Sequence, residues 1–278
     1  MIDTQIIQQS KQLIEDADVV LIGAGAGLST AAGLHYSGKR FSDNFSDYID
    51  EYQLTDMYSS VFYPFKSKEE KWAYLSRHIK LNGYDAEPGQ VYNDLLNLVK
   101  GKSYFVITTN GDGLFKKAGF NTDQIFATQG DYQQFQCAKG CHNTLYHNEK
   151  MVMQMVKQFN NFRIPTELLP ICPVCGEDLV PHLRIDQFFV ENEDWHLAND
   201  RYTQFVRNAK DKKMVLLELG IGFNTPSIIR WPFEQMAHQF TNTELIRVNM
   251  DSVEPNYKIP ATSILLKSGI AEYLAQMQ

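Results

Sequence analysis

A glycine-rich turn carries the most specific chemistry in this chain. Gly23, Gly25 and Gly27 follow the apolar run 19–22 and lead into the small residues 29–32. The apolar run predicts a buried strand, and the small residues suit the first turns of a helix. Free N–H groups and the helix dipole at such a junction favour a phosphate, so the segment predicts a nucleotide-binding turn. The alternative is a flexible strand-to-helix connection without a ligand.

The spacing of these glycines differs from the dinucleotide fingerprint G-x-G-x-x-G. A fingerprint that starts at Gly23 requires glycine at position 28, where the chain has Leu28. One that starts at Gly25 requires glycine at position 30, where the chain has Thr30. The spacing therefore disfavours an ordinary hydride-transfer enzyme of the Rossmann type.

Two cysteine pairs, Cys137 with Cys141 and Cys172 with Cys175, form the second group of residues with a chemistry of their own. The second pair continues into Gly176 as C-P-V-C-G, the form of a zinc knuckle. Two pairs of thiolates can enclose a tetrahedral zinc ion, and such a four-thiolate site is closed and structural. We therefore predict that the four cysteines bind one structural Zn²⁺.

Disulfide bonds are the alternative use of these cysteines. The N-terminal residues have no basic region followed by a long apolar core, so we expect no secretion signal, which disfavours disulfides. A four-cysteine set also leaves no ligand position for a histidine. The nearby histidines are therefore expected to be surface or hydrogen-bonding residues: His142, His147 and His182.

Further apolar runs alternate with helical patterns, as a doubly wound sheet requires. The runs at 103–108, 214–219 and 244–249 predict strands, and the segments 89–100 and 226–240 predict helices. Each run is followed by glycine, asparagine or aspartate. Because ligands bind beyond the carboxyl ends of the strands in an open parallel sheet, we expect these ends to converge on one crevice.

The order of these segments predicts an α/β protein with a Rossmann-like, doubly wound parallel sheet and two insertions. We assign residues 1–40, 84–129 and 191–278 to the Rossmann-like domain. The polar and aromatic segment 41–83 is predicted to be a helical insertion, and 130–190, which holds both cysteine pairs, an inserted zinc-binding module.

Composition and charge exclude several classes of function. The 278 residues are 44% hydrophobic and 21% charged, as in an ordinary globular protein. A formal net charge of -7 without a basic cluster gives no electrostatic footprint for nucleic acid. No apolar stretch reaches the length of a membrane span. We expect a cytoplasmic protein that binds neither nucleic acid nor membranes.

Taken together, the motifs resemble those of the sirtuin family. Residues 25–34, GAGLSTAAGL, are similar to the sirtuin loop G-A-G-x-S-x-x-x-G-I, and residues 108–114, TTNGDGL, are similar to T-Q-N-x-D-x-L. Residues 220–222 take the place of the family's G-T-S, and residues 247–249 resemble a late strand whose asparagine binds the adenosine ribose. The paired cysteines match the family's zinc module, and the motifs occur in the family's order.

The resemblance implies that NAD is the co-substrate and that zinc is structural. It places Asn110 and Asp112 against the ribose and the nicotinamide carboxamide, whereas these two residues taken alone would favour a polar turn after a strand. These two residues and Gln129 are the candidate catalytic residues. The candidate NAD-binding residues are Gly25, Ala26, Gly27, Ser29, Gly33, Tyr36, Arg40, Phe41, Asn110, Asp112, Gln129, Gly220, Ile221, Gly222, Asn224, Asn249, Met250, Asp251 and Ile270.

The chain departs from the sirtuin deacylases at two places. Those enzymes continue their glycine loop as G-I-P-D-F-R, where residues 33–38 here read GLHYSG. Their H-G dipeptide, whose histidine is the general base of deacylation, is replaced by Gln129-Gly130. Glutamine cannot accept a proton, and losing a positioned base costs about 10²–10⁴-fold in rate. Gln129 either hydrogen-bonds the ribose hydroxyls or is a partly buried structural residue.

Transfer of ADP-ribose requires fewer catalytic groups from the enzyme than deacylation does. A carboxylate acceptor is already ionised and needs no base, so the enzyme has to bind NAD, weaken the glycosidic bond and shield the ribose cation from water. The combination resembles the macrodomain-linked microbial sirtuins. That resemblance implies a protein ADP-ribosyltransferase whose acceptor is a lipoylated carrier protein similar to the glycine-cleavage H protein, with a macrodomain protein as functional partner.

Two other functions remain open from the sequence. The first is an NAD-dependent deacylase whose base comes from elsewhere, with His35 the nearest candidate. The second is an NAD sensor with a weak catalytic centre. The aromatic segment 48–63 either closes over the nicotinamide or packs as a helical lid.

Overall fold

The computed structural model describes residues 2–278. Within that range the central sheet has six strands, all parallel. They are β1 (Val19–Ala24), β2 (Ser103–Thr108), β3 (Ile125–Ala127), β7 (Met214–Leu219), β8 (Thr243–Asn249) and β9 (Ile264–Lys267). Their spatial order is β3-β2-β1-β7-β8-β9. The chain order reverses between β1 and β7, which is where an open α/β sheet offers a crevice to ligands.

Helices cover both faces of this sheet. Alternation along β1 sends Val20 and Ile22 into one core and Val19 and Leu21 into the other. The helices of this part are α1 (Thr4–Asp16), α2 (Ala26–Ala31), α6 (Gly89–Val99), α7 (Leu114–Lys117), α9 (Glu193–Ala209), α10 (Arg230–Gln239) and α11 (Ile270–Gln276). Residues of α1, α6 and α11 share the first core, and residues of α9 and α10 share the second.

Two segments leave the sheet and pack on each other. The first contains α3 (Lys39–Tyr52), α4 (Met57–Ser60), α5 (Lys68–Ile79) and a π-helical turn (Lys80–Tyr84). The second contains the antiparallel strands β4 (Gly130–Cys137), β5 (Tyr146–His147) and β6 (Leu179–Leu183), with α8 (Glu149–Lys157) between β5 and β6. Both contribute to one aromatic core that includes Phe45, Tyr48, Trp72 and Phe135. The helices and the cysteine-bearing sheet therefore support each other.

The predicted α/β fold is confirmed, with differences at short elements. The four predicted strands are present, and a helix covers Gly89–Val99 as expected. The sequence did not predict β3 and β9, which have three and four residues and too little length for a clear pattern. The helix predicted over 226–240 begins only at Arg230, because residues 223–229 form bends and turns.

A buried cluster of four charged side chains holds the loop after β8 against the sheet. Arg247 donates to Glu218 at 2.8 Å and to Glu234 at 2.7 Å. Arg230 lies 3.8 Å from each of the same carboxylates. The arginines also donate to backbone carbonyls of residues 252–254. Buried charges are tolerated when they are paired and hydrogen-bonded, and here they bind the loop to the sheet.

We found no helix within residues 2–278 that is both long and apolar enough to cross a membrane.

Candidate functional site

A cavity of about 540 Å³ opens at the carboxyl ends of β1, β2 and β7, where the strand order reverses. One side is formed by Gly25, Ala26, Ile221 and Gly222, which we call the glycine wall. A second group of lining residues, Tyr36, Tyr58, Phe62 and Tyr132, forms what we call the aromatic wall. The predicted site residues that line the cavity are Gly25, Ala26, Ser29, Tyr36, Asn110, Asp112, Gln129, Ile221, Gly222 and Asn224.

Direct backbone contact between two loops builds the glycine wall. The Gly27 N–H donates to the carbonyl of Gly220 at 3.0 Å, and the Gly25 N–H donates to Leu219 at 3.1 Å. A Cβ on Gly27 would lie 2.6 Å from the Gly220 Cα, and one on Gly220 would lie 2.5 Å from the Gly27 Cα. Gly220 also has φ +66°. Glycine is therefore required on both sides of this contact.

Asn110 and Asp112 sit in the turn after β2, facing the glycine loop. The Asn110 amide donates to the carbonyl of Gly25 at 2.8 Å. The Ser29 hydroxyl donates to Asp112 at 2.5 Å, and the Leu114 N–H donates to its other oxygen at 3.0 Å. Burial raises the pKa of the Asp112 carboxyl, although these hydrogen bonds oppose the rise. The two side chains are thus fixed in place before any ligand binds.

Gln129 projects into the cavity from the connection between β3 and β4. Its backbone carbonyl accepts from the Arg184 N–H at 3.0 Å. Gly130 follows with φ +96°, and a Cβ there would lie 1.9 Å from the carbonyl oxygen of His182. The glycine after Gln129 is therefore fixed by close packing, which holds the Gln129 backbone at the edge of the cavity.

Three aromatic side chains form a hydrogen-bonded chain that ends at the aromatic wall. The hydroxyls of Tyr36 and Tyr132 are 2.7 Å apart, and Nε2 of His78 lies 3.3 Å from the Tyr132 hydroxyl. His78, on α5, is only 1% exposed. Burial lowers the pKa of His78 to about 3, with a smaller contribution from the Arg40 charge, and burial raises the pKa of Tyr36 to about 12. All three side chains are therefore neutral near pH 7.

Other candidate NAD-binding residues lie behind the walls rather than on them. Gly27 and Gly220 form the contact that supports the glycine wall. Asn249 donates to the Ile221 carbonyl at 2.7 Å and so holds the turn that lines the cavity. Arg40 donates to the Asn82 side chain at 2.8 Å.

The remaining candidates are spread more widely. Phe41 is buried in the aromatic core, and Ile270 is buried in the core beneath α11. Met250 is 63% exposed on the loop after β8, and Asp251 follows it. Gly33 has φ +94° at the end of α2. None of these described residues lines the cavity itself.

The four cysteine sulfurs lie close enough to share one metal ion. Sγ of Cys137 is 3.6 Å from Sγ of Cys175, and Sγ of Cys141 is 3.7 Å from Sγ of Cys172. A tetrahedral zinc ion with bonds of about 2.3 Å places its sulfur ligands about 3.8 Å apart. The sulfurs are free thiols in the described chain, and their spacing fits zinc.

A histidine stands beside this cysteine cluster. Nδ1 of His142 lies 3.0 Å from Sγ of Cys141 and 3.9 Å from Sγ of Cys172, within the range of a metal-binding group. Its Nε2 is 2.8 Å from the Tyr146 hydroxyl. The ligand atoms of Cys137, Cys141, Cys172 and His142 all lie within 4.8 Å of one another, and this group does not include Cys175. Cys175 is nevertheless 3.6 Å from Cys137, as a pair of zinc ligands requires, and four sulfurs complete a tetrahedral site. The cysteine set therefore fits the metal without the histidine.

Comparison with known proteins identifies the family. The model of the Sir2 family matches residues 25–220, which includes the glycine loop, Asn110 to Asp112 and both cysteine pairs. The chain belongs to the Sir2 family. A curated relative from Staphylococcus aureus, "Protein ADP-ribosyltransferase", is 37% identical over 248 residues, which cover 89% of this chain and 78% of that protein.

A second relative and the solved structures agree with this assignment. The Fusarium oxysporum f. sp. cubense protein "Probable bifunctional ADP-ribose hydrolase/ADP-ribosyltransferase" is 30% identical over 87% of this Sir2 chain, which spans 42% of that longer protein. The structure of Sir2Tm bound to a propionylated peptide matches with a TM-score of 0.59 at 17% identity, covering 97% of this chain and 96% of that one. A mutant Sir2 homologue in complex with ADP-ribose has a TM-score of 0.59 at 16% identity, covering 99% and 95%. These structures support the sirtuin fold.

Sequence reasoning missed the part of this Sir2 site that comes from the insertions. Tyr58, Phe62 and Ile185 line the cavity yet are 60%, 57% and 57% exposed. Tyr132 and His78 were not predicted either. The aromatic segment 48–63 was a usable signal, because Tyr48 is buried in the core, whereas Tyr58 and Phe62 line the cavity.

Proposed function

We propose that this chain transfers ADP-ribose from NAD to a protein acceptor and releases nicotinamide. One observation carries the proposal: Gln129 lines the cavity at the H-G position of the family's deacylases. Among residues 2–278, no histidine lines this cavity. A positioned base is worth about 10²–10⁴-fold in rate, so deacylation loses more from this change than ADP-ribose transfer does.

The histidines elsewhere do not replace the missing base. His35 is exposed and does not line the cavity. His78 is buried, and its pKa of about 3 makes it a poor proton acceptor at neutral pH. His182 lines a separate cavity on the other side of the β3–β4 connection. The deacylase alternative therefore has no described histidine to supply its proton transfer.

In this proposal NAD lies across the carboxyl ends of the strands. The family resemblance assigns the pyrophosphate to the glycine wall, where the Gly25 N–H is already bonded to Leu219. It assigns the nicotinamide ribose to Asn110, Asp112 and Gln129. The adenosine ribose is assigned to Asn249, near Met250, Asp251 and Ile270. The rigid hydrogen bonds of Asn110 and Asp112 support their roles, because pre-organised polar groups pay no reorganisation cost during the reaction.

The reaction follows from these positions. The bond between the ribose anomeric carbon and the nicotinamide nitrogen breaks, its electron pair moves to the ring nitrogen, and the acceptor carboxylate forms the new bond to carbon. The enzyme has to orient the two partners and exclude water from the cation-like ribose. The aromatic wall suits the second task, because Tyr36 and Tyr132 line the cavity and are half-buried.

For the acceptor we propose a lipoylated carrier protein similar to the glycine-cleavage H protein. Support comes from the exposed apolar side chains of Tyr58, Phe62 and Ile185 at the cavity, which offer a surface for an apolar arm. The curated relatives named as ADP-ribosyltransferases support the transfer itself. The hydrolase part of the Fusarium protein's name fits our further proposal that a macrodomain protein removes the modification.

Zinc has a structural role in this proposal. Cys137, Cys141, Cys172 and Cys175 would hold the ion, and the ion would fix the loops at the ends of β4 and β6. Those strands carry Tyr132 and Leu183 to the cavity. Zinc bound by four thiolates has no open position for substrate, so it supplies folding free energy rather than chemistry.

Nicotinamide release and protein labelling test the proposal together. The enzyme is incubated with NAD, with or without a lipoylated carrier protein, and the carrier's mass is recorded. We expect carrier-dependent release and a carrier mass increase of one ADP-ribose unit. Asn110→Ala should reduce both by about 10²-fold or more, the usual effect of removing a pre-organised polar group. Asn93→Ala, at an exposed position on α6, is the matched control and should retain activity.

Each other result points to a different function. Nicotinamide release coupled to loss of an acyl group from a peptide would replace the transferase with a deacylase. Tight NAD binding without release, in the presence of the lipoylated carrier, would favour the sensor. Labelling of the carrier only after lipoylation would support the proposed acceptor, and equal labelling without lipoylation would count against it.

A further inference from the structure

We propose that Tyr36 donates a hydrogen bond to the carboxamide oxygen of nicotinamide, and that His78 and Tyr132 set the direction of that bond. The inference rests on the proposed NAD site and adds a carboxamide-recognition device to it. It starts from the hydrogen-bonded chain of His78, Tyr132 and Tyr36, which joins a fully buried imidazole to the cavity.

The tautomer of His78 determines which groups donate and which accept in this chain of hydrogen bonds. Nδ1 of His78 is buried and has no hydrogen-bond partner among the described residues. A buried N–H without an acceptor is rarer and costlier than a buried lone pair without a donor. The single proton of this neutral imidazole therefore sits on Nε2, which faces the Tyr132 hydroxyl at 3.3 Å.

The remaining protons follow from that assignment. Nε2–H of His78 donates to the Tyr132 oxygen, so the Tyr132 proton points at Tyr36, 2.7 Å away. The Tyr36 oxygen accepts this bond, which leaves its own proton for the cavity. Each tyrosine hydroxyl has one proton, so the chain has a single consistent arrangement. Tyr36 is thus a hydrogen-bond donor toward the ligand.

Asp112 supplies the complementary acceptor. Asp112 and Tyr36 line the same cavity. An acceptor and a donor on one cavity match a primary amide, which offers N–H to one and C=O to the other. A carboxylate or phosphate would meet the buried Asp112 instead, which disfavours an anionic group there.

This hydrogen bond strengthens during the reaction. In NAD the pyridinium ring withdraws electrons from the carboxamide. When the glycosidic bond breaks, its electron pair goes to the ring nitrogen, the ring becomes neutral and the carboxamide oxygen becomes a better acceptor. A donor at that oxygen therefore stabilises the transition state more than bound NAD. Tyr36 would act directly on the leaving group, with Tyr132 and His78 as positioning residues.

Binding of two ligands to Tyr36→Phe tests the inference without any acceptor protein. The probes are carba-NAD, which keeps the nicotinamide and does not react, and ADP-ribose, which lacks it. We expect the variant to bind carba-NAD about 3- to 10-fold more weakly, the range for one neutral hydrogen bond, and to bind ADP-ribose as the wild type does. Equal affinity for carba-NAD, or an equal loss with both probes, would overturn the inference.

Variants of the positioning residues His78 and Tyr132 test the direction of these hydrogen bonds. His78→Leu removes the donor and should show a smaller loss that is again confined to carba-NAD. His78→Gln keeps an N–H that can reach the Tyr132 oxygen and should restore the affinity. Tyr132→Phe serves as a second variant if His78→Leu folds poorly. Wild-type affinity in both His78→Leu and Tyr132→Phe would show that Tyr36 needs no positioning.

The outcome is separable from the proposed function. Wild-type protein that binds ADP-ribose but never labels a carrier would refute the transferase and leave the comparison of probes valid. Wild-type protein that binds neither probe would refute the NAD site and the inference with it.

Discussion

The glycine wall and the aromatic wall differ in what they present to a ligand. On the glycine wall, loops after β1 and β7 touch through Gly27 and Gly220, so the backbone itself forms the surface. On the aromatic wall, long side chains from α4, β4 and the loop after Gly33 form it. The contact between Gly27 and Gly220 tolerates no added atom, whereas side chains on the aromatic wall can be exchanged. We infer that the first wall is built for the invariant parts of NAD and the second for the acceptor and the leaving group.

Removal of zinc should have the largest effect, and it should impair the aromatic wall while leaving the glycine wall intact. Cys172→Ala should lose the metal and loosen the loops at the ends of β4 and β6, because structural zinc contributes folding free energy directly. We expect ADP-ribose transfer to the carrier to fall while ADP-ribose binding, which uses the glycine wall, remains. Metal analysis, activity and ADP-ribose titration of the variant measure these effects.

His142→Ala is the control for that experiment, because the cysteines fit zinc without it. We expect one zinc per chain in this variant. Metal loss in His142→Ala together with metal retention in Cys175→Ala would show that the histidine, and not the fourth cysteine, completes the site.

Gly27→Ala should disrupt the glycine wall. The new Cβ would lie 2.6 Å from the Gly220 Cα, so the two loops must separate. Overpacking of this kind costs about 1–3 kcal/mol, which lowers Tm by about 2–10 °C in a chain of this size. Affinity for ADP-ribose should fall as well. Thermal unfolding and ligand titration check both effects.

Gly222→Ala is the matched control for stability. A Cβ at Gly222 meets no atom of the described chain within 4 Å, and its backbone needs no positive φ. Its Tm should equal that of the wild type. An equal drop of Tm in both variants would mean that glycine is needed for flexibility rather than for close contact.

Phe62→Ala should alter only the aromatic wall. Phe62 is 57% exposed, so a bound acceptor would bury apolar surface that is now in water. Loss of one such contact is expected to raise KM for the lipoylated carrier by about 10-fold and to leave ADP-ribose affinity unchanged. Leu197→Ala, at a 47% exposed position on α9, is the control. A matching rise of KM in the control would contradict a specific surface.

His78 should have the smallest effect at neutral pH, because its contribution to stability changes only in acid. Burial lowers its pKa in the folded chain to about 3, against about 6.5 in an unfolded chain. Below about pH 6.5 the unfolded chain therefore binds the proton first, and stability falls by up to about 1.4 kcal/mol per pH unit toward pH 3. Chemical unfolding between pH 6 and pH 4 should show a shallower decline for His78→Gln than for the wild type. Parallel declines would mean that His78 titrates normally.

The difference between the glycine wall and the aromatic wall also explains which residues of the site the sequence could predict. The glycine wall depends on local patterns: an apolar strand, glycines at fixed offsets and a helix start. Asn110 and Asp112 follow a strand end in the same way. These residues were predicted, and the structure brings them together at one cavity. Local patterns suffice there because parallel strands end at a common edge.

The aromatic wall depends on contacts between distant residues. Tyr36 and Tyr132 are 96 positions apart, and they meet because the inserted helices and the β4–β6 sheet share a core. No periodicity in the sequence encodes that packing. Ile185 likewise reaches the cavity only because β6 pairs with β4. Long-range packing of this kind has no local sequence signal.

The buried cluster of Arg230, Arg247, Glu218 and Glu234 has a consequence for behaviour at different temperatures. Hydration of charged groups becomes less favourable on warming, so the cost of keeping these four charges dry decreases as temperature rises. The carbonyls of residues 252–254 are held by these arginines. The loop after β8 should therefore remain attached to the sheet on heating until the sheet itself melts, so that the adenosine end of the proposed site persists to the unfolding temperature.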